Sequence, residues 1–180
     1  MTVSLPALSL VLGAAASGKS AFAERLLAAT DRPPTYIATA QAFDEEMRLK
    51  IVAHQARRGS GWTTVEAPFD LTGPLAAVEP GGAVLIDCAT LWLTNHLIAE
   101  HDLVTEETRL LHAIRDAAVP VVVVSNEVGA GIVPENALAR RFRAAQGRLN
   151  QSLAARADLV VAVMAGLPLV LKGELPGGAA

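Results

Sequence analysis

The stretch Gly13-Ala-Ala-Ala-Ser-Gly-Lys-Ser20 constrains this chain more than any other. It fits G-x-x-x-x-G-K-[ST] at every required position, between the aliphatic run Leu8–Leu12 and a helical pattern that begins at Lys19. Gly13 and Gly18 tolerate backbone conformations that other residues resist. Successive N–H groups then turn inward and form a concave anion site, to which the following helix adds its positive end. In such a cradle Gly13, Ala14, Ala15, Ala16, Ser17 and Gly18 present backbone to a polyphosphate. Lys19 supplies a point charge to the β- and γ-phosphates, and Ser20 offers its hydroxyl to Mg²⁺. The competing reading is a plain Gly/Ser turn between a strand and a helix.

A chain of 180 residues with 52% apolar content suffices for one domain, 1–180, with its own core. Aromatics are only 4%, so that core is built from Ala, Val, Leu and Ile. A net charge of −3 gives no basis for nucleic acid or an acidic membrane surface as the main partner. No apolar run reaches the ~18 residues of a membrane helix. The apolar N-terminus lacks a basic flank and runs into the glycine loop, so it reads as a first strand and not a signal peptide. The single Cys88 excludes an intramolecular disulfide framework, and the expected location is cytoplasmic.

Leu8–Leu12, Thr35–Ala38, Ala83–Ile86, Val121–Ser125 and Leu159–Met164 are short apolar runs bounded by turn residues, the pattern of strands buried on both faces. Trp62–Ala67 adds a further short strand. Helical patterns alternate with them over Lys19–Ala29, Gln41–Arg58, Thr90–Glu100, Thr105–Ala118 and Glu135–Arg156. This alternation predicts a mostly parallel sheet with helices on both faces. Pro68–Pro80 reads as loop, and the Gly173–Ala180 tail as frayed.

Two residues extend the chemistry. Asp87 follows the Ala83–Ile86 strand, where an acid can face the metal of a bound nucleotide; the alternative is a turn or a cap on the helix at Thr90. Phe43, Met47, Ile51 and His54 share one helical face. His54 is therefore either a packed core residue or a nucleophile. Arg57 and Arg58 follow it, neutralise nucleotide charge and favour the neutral imidazole. The Asn126–Glu135 loop, with Gly129 and Gly131, reads as a turn or as a close approach to a ligand, and Pro134, just before the long helix, as a helix-start signal. Glu127 has no role that spacing assigns. That helix carries five arginines and reads as a solvated or subunit-facing surface. His96, His101 and His112 read as structural, and Cys88 as a small buried filler.

Several strings together resemble a known family: the glycine loop, Tyr36–Met47, His54 with its basic residues and Trp62, Leu85–Asn95, Val124–Arg143 and Gly147–Asp158. From about Leu8 to Leu171 the chain resembles the bifunctional adenosylcobinamide kinase / adenosylcobinamide-phosphate guanylyltransferases of cobalamin assembly. The resemblance implies a RecA-like P-loop three-layer fold and a homotrimer. It implies phosphorylation of adenosylcobinamide by ATP or GTP, then transfer of GMP from GTP to adenosylcobinamide phosphate through a guanylyl-histidine at His54. The nucleotide contacts it implies are Gly13–Ser20, then Ala38, Thr39 and Ala40, then Gln55, Ala56, Arg57 and Arg58, then Glu66 and Asp87. Where the family loop has a second Gly and a basic residue, this chain has Ala14 and Ala16, and Gln55 replaces a commonly charged residue. The rival readings are a small-molecule P-loop kinase in which His54 only packs, and a GTP-binding switch. The chain has no N-K-x-D guanine-reading string of the switch type.

Overall fold

The structure is a computed structural model and describes residues 4–41, 52 and 61–177. The strands are β1 (Leu8–Gly13), β2 (Pro34–Ala38), β3 (Thr63–Glu66), β4 (Ala83–Asp87), β5 (Val121–Asn126), β6 (Leu159–Met164) and β7 (Leu167–Lys172). The helices are α1 (Lys19–Ala28), α2 (Thr72–Ala76), α3 (Ala89–Ile98), α4 (Leu103–Asp116) and α5 (Ala137–Arg156). The helix expected over Gln41–Arg58, with its Phe43, Met47, Ile51 and His54 face, lies outside the described residues apart from Gln41 and Val52.

One seven-stranded sheet runs in the order β3-β2-β4-β5-β1-β6-β7. All neighbouring pairs are parallel except β6 and β7. Strand alternation divides the core in two. Leu10, Val84, Ile86, Val121 and Val123 face α3, α4 and α5, meeting Trp92, Leu110, Ile114, Leu149 and Leu153. Val11, Leu85, Val122, Val124 and Val161 face α1, meeting Phe22, Ala23, Leu26 and Leu27. Both faces are covered, which is why these strands are continuous aliphatic runs in the sequence and not alternating ones. The result is the expected P-loop three-layer α/β sandwich, with β5 lying between the strand that carries the glycine loop and the strand that carries Asp87.

Four details differ from the expectations. The apolar segment after Met164 returns as β7: Ala165 and Gly166 adopt positive φ (50° and 79°) and reverse the chain into a hairpin. The tail beyond it does not simply fray, because Leu175 packs against the α1-side core. The long helix starts at Ala137 and not at Glu135, since Asn136 is its cap and accepts from Leu138 N and Ala139 N at 2.7 and 3.2 Å. Within Pro68–Pro80, residues Thr72–Ala76 form the short α2, whose Leu75 is buried.

A buried polar cluster joins β5 to α5. The Ser125 hydroxyl donates to Asn150 Oδ1 (2.6 Å), and Gln146 Nε2 donates to both Ser125 Oγ (2.9 Å) and Asn150 Oδ1 (3.0 Å). Asn150 Nδ2 donates in turn to the Asn126 carbonyl at 3.0 Å. Each of these groups would be orphaned away from water without its partners. Asn150→Ala is therefore expected to lower unfolding free energy by about 2–3 kcal/mol, read as a shifted urea midpoint with an unchanged slope. An unchanged midpoint would show that the cluster contributes nothing.

Candidate phosphate-binding site

The C-terminal ends of the parallel strands form one edge, and the chemistry-bearing residues collect there. Gly13 closes β1 and opens the loop. A methyl group at Gly13 would fall 2.3 Å from Ser17 Oγ and 2.7 Å from the Val163 carbonyl oxygen, so the turn closes only over glycine. Ser17 N donates to the Ala14 carbonyl at 3.3 Å. Gly18, at φ 93°, leads into α1, and no side chain caps the helix there. The N–H groups of the first turn are thus left to an anion, in the direction of the helix dipole. Ala14, Ala15 and Ala16 are exposed, and Ser17 to Ser20 half-buried. Ala16 holds a left-handed φ of 57° without being glycine. Lys19 Nζ folds back over the loop and donates to the Ala14 carbonyl at 3.1 Å.

The loop is braced from a direction the sequence does not announce. Gly166, in the β6–β7 turn, donates its N–H to the Ser17 carbonyl at 2.9 Å, and a methyl group at Gly18 would meet Gly166 Cα at 3.2 Å. From the other side Glu127 N donates to the Gly13 carbonyl at 3.1 Å. A small-residue turn between two apolar runs is the only sequence signal for the Gly166 contact.

Asp87 ends β4, with Ala38 and Val124 as its register partners. Its Oδ2 is buried and has no hydrogen-bond partner among the described residues. No side chain caps α3, so Asp87 is not spent there. Glu66 ends β3 beside Ala38 and is exposed. Ala38 and Ala40 are half-buried between them. Thr39 is fully buried and committed elsewhere: its Oγ1 donates to the Cys88 carbonyl (2.7 Å) and accepts from Cys88 N (2.8 Å), while Thr39 N donates to the Asp87 carbonyl at 3.3 Å. This bracket fixes the backbone that carries Asp87. Asn95 Nδ2 extends it, donating to the Thr39 carbonyl (2.8 Å) and the Pro68 carbonyl (2.9 Å). Cys88 is buried, and burial, reinforced by the Asp87 charge, pushes its thiol up to about 11. A thiol so held is packing and not a nucleophile. His54, Gln55, Ala56, Arg57 and Arg58 lie outside the described residues.

The donor set fits a hard divalent cation shared with phosphates. Asp87 brings an orphaned carboxylate oxygen to the edge that also holds the Ser20 hydroxyl on α1. Among the described residues no group of three His, Cys, Asp or Glu forms a cage. Mg²⁺ needs only one or two protein oxygens when phosphates and water complete its shell.

Behind this edge α3 holds the Pro68–Phe69 segment. Trp92 Nε1 donates to the Phe69 carbonyl at 2.8 Å, and the His96 Nε2 lies 3.3 Å from it. His96 Nδ1 and His101 Nδ1 are 2.9 Å apart, and Phe69 packs edge-on to the His96 ring. Burial holds the His96 imidazole below its ordinary value, against the opposing pull of the Phe69 carbonyl and Glu106.

A mostly parallel sheet with an uncapped glycine loop at the end of its first strand, and an acid two strands away with an oxygen that has no partner among the described residues, defines a P-loop nucleotide-binding protein. The chain belongs to the cobinamide kinase / cobinamide phosphate guanyltransferase family, whose family model matches residues 9–171. It is similar to the bifunctional adenosylcobalamin biosynthesis protein CobP of Pseudomonas aeruginosa, at 45% identity over 92% of this chain and 97% of that protein. It is also similar to the proteins named bifunctional adenosylcobalamin biosynthesis protein CobU of Salmonella typhimurium (41% identity, 91% of this chain, 98% of that protein) and Escherichia coli (38%, 91% and 98%). Among solved structures, the RadB recombinase superposes with a TM-score of 0.46 at 22% identity, covering 88% of this chain and 74% of that one.

Thr39→Val keeps the shape and removes both side-chain bonds to Cys88. It is expected to cost about 2–3 kcal/mol in urea unfolding, with Thr39→Ser nearly wild type. Equal stability of all three proteins would contradict the bracket. The lowered His96 pKa means that the unfolded chain binds the extra proton more readily. Its contribution to stability is complete above about pH 6.5 and is lost as the pH falls below that. The urea midpoint is expected to drop between pH 7.5 and 5.5, and to drop less in His96→Gln; equal drops would contradict this.

Proposed function

We propose that this chain phosphorylates the aminopropanol hydroxyl of adenosylcobinamide with ATP or GTP. It then transfers GMP from GTP to the new phosphate, giving adenosylcobinamide-GDP and pyrophosphate. The observation that carries this reading is the convergence, at one sheet edge, of the uncapped Gly13–Ser20 loop and the unpartnered Asp87 Oδ2. Membership of the family supports the choice of substrates.

In the kinase step the backbone N–H groups of Gly13 to Gly18 hold the phosphate chain, and Lys19 leaves the Ala14 carbonyl to pair with the β- and γ-oxygens. The acceptor hydroxyl attacks the γ-phosphorus, and the bridging bond to the β-phosphate breaks toward the nucleoside diphosphate. The Ser20 hydroxyl and the Asp87 carboxylate would hold Mg²⁺, which would supply neutralising charge to the phosphate oxygens. In the transferase step a neutral His54 nitrogen attacks the α-phosphorus of GTP, and pyrophosphate leaves. The substrate phosphate then displaces His54 and takes the guanylyl group, so two easier displacements replace one hard one. Ala38, Thr39, Ala40 and Glu66 line the nucleotide at the ends of β2 and β3, and Gln55, Ala56, Arg57 and Arg58 cover its charge next to His54. Thr39, fully buried, acts there by fixing the backbone of its neighbours through its grip on Cys88.

Residues 1–180 act as a single domain, in the cytoplasm, as a homotrimer. The edge strand β7 and its turn support association: Met164, Leu167, Leu169 and Leu171 are 68%, 71%, 56% and 57% exposed. An unpaired edge with so much apolar surface is one that proteins cover.

Intact-mass spectrometry after incubation with GTP and Mg²⁺ tests the reading. The wild type is expected to gain one GMP and His54→Ala none, while His54→Ala still phosphorylates adenosylcobinamide from ATP. A wild type that binds GTP but gains no mass would leave a P-loop kinase with a packing histidine.

A further inference from the structure

We propose that the side-chain amide of Asn126 hydrogen-bonds the terminal phosphate of the nucleoside triphosphate held by the Gly13–Ser20 loop, and so acts in phosphoryl transfer beside Lys19 and Asp87. This rests on the nucleotide reading of that loop. Asn126 ends β5, the strand between β1 and β4, and its register partner is Gly13. Two residues earlier, Val124 is the partner of Asp87. The amide therefore bridges the gap between the cradle and the acid. Alternation fixes the side as well. Val122 and Val124 face α1, as do Val11 and Leu85. Stepping on by two along each strand puts Asn126, Gly13 and Asp87 on that same face, the one α1 covers with Lys19 and Ser20 at its start.

The backbone of Asn126 is held on both sides while its side chain is left over. Asn126 N donates to Thr90 Oγ1 at 2.8 Å, and its carbonyl accepts from Asn150 Nδ2 at 3.0 Å. Its Oδ1 is buried and finds no partner among the described residues, the same condition as Asp87 Oδ2. Polar atoms buried this way in a well-bonded frame are ones a ligand completes. The residue type suits a phosphate already crowded with negative charge: an amide donates through Nδ2 and adds no charge of its own. Rotating the group by a half-turn exchanges Oδ1 and Nδ2, so the donor reaches the position the oxygen occupies here. During transfer the acceptor oxygen bonds to the γ-phosphorus and the bridging bond breaks with its electron pair on the nucleoside diphosphate. The hydroxyl proton passes to solvent. Asn126 exchanges no proton; its N–H steadies charge on a non-bridging γ-oxygen.

The test compares, in the full chain, binding of a non-hydrolysable GTP analogue (guanosine β,γ-imidotriphosphate) and of GDP, both with Mg²⁺. Asn126→Ala is expected to weaken the triphosphate about tenfold, as loss of one hydrogen bond to a charged group does, and GDP by less than about twofold. The isosteric Asn126→Asp is expected to weaken the triphosphate further by placing a charge against it. It also carries the test if the alanine variant does not fold. Thr90→Val, which loosens the backbone and leaves the amide, is expected to leave the triphosphate-to-GDP ratio unchanged. Equal weakening of both nucleotides, or of neither, in the Asn126 variants would overturn the proposal. A wild type that binds neither nucleotide would instead overturn the reading of the loop itself.

Discussion

A methyl group at Gly13 would lie 2.3 Å from Ser17 Oγ and 2.7 Å from the Val163 carbonyl oxygen, so the chain can turn from β1 into the loop only where there is no side chain. That close approach ties three parts of the molecule to one point. It lets the loop rest on β6 and on the turn after it, where Gly166 N donates to the Ser17 carbonyl. It leaves the Gly13 carbonyl free to accept from Glu127 N, so the segment after β5 starts from the loop itself. It also delivers Gly18 in its left-handed conformation to an α1 that no side chain caps. The anion site is thus a by-product of tight packing among β1, β5 and β6, and its donors are held before any ligand arrives.

The remaining strands are held to this point by polar contacts placed only at their C-terminal ends. Along their length β1, β4 and β5 are aliphatic and buried on both faces, which supplies stability but no chemistry. At the ends the character changes within one residue. Thr39 closes β2 onto β4 through Cys88, and Ser125, Gln146 and Asn150 close β5 onto α5. These groups bond to one another, with only Gln146 Oε1 among them left over. Asp87 Oδ2 and Asn126 Oδ1 do not: both are buried at this edge without a partner among the described residues, as is Ser17 Oγ in the loop. Rigid, satisfied neighbours and a few unsatisfied atoms are what a preorganised site requires.

Much of this was legible in the residues. Leu8–Leu12, Ala83–Ile86 and Val121–Ser125 needed only their aliphatic density and flanking turns to be read as buried strands, and each proved one residue longer. The loop was legible because its chemistry is local: two glycines, a lysine and a serine within eight residues. β7 was not, because its apolar side chains are largely exposed and an edge strand has only one partner to fix it. The start of α5 was misplaced because Pro134 is a generic helix opener, whereas Asn136 makes the actual cap. Thr39 carried no local sign of its role. A threonine after a strand is unremarkable until β4 arrives beside it, 49 positions later in the chain. Gly166 and Asn126 were hidden for the same reason, since both act across strand pairs that sequence spacing does not reveal.

Hydrogen–deuterium exchange of the full chain, with and without the GTP analogue and Mg²⁺, is the most direct test of the account. Occupation of the cradle predicts protection of amides in Gly13–Ser20, with weaker protection at Thr39–Ala40 and Asn126–Glu127. The opposite end of α4, around Leu111–Asp116, is predicted to be unchanged. Protection centred on α4, with Gly13–Ser20 exchanging as fast as in the free protein, would contradict it.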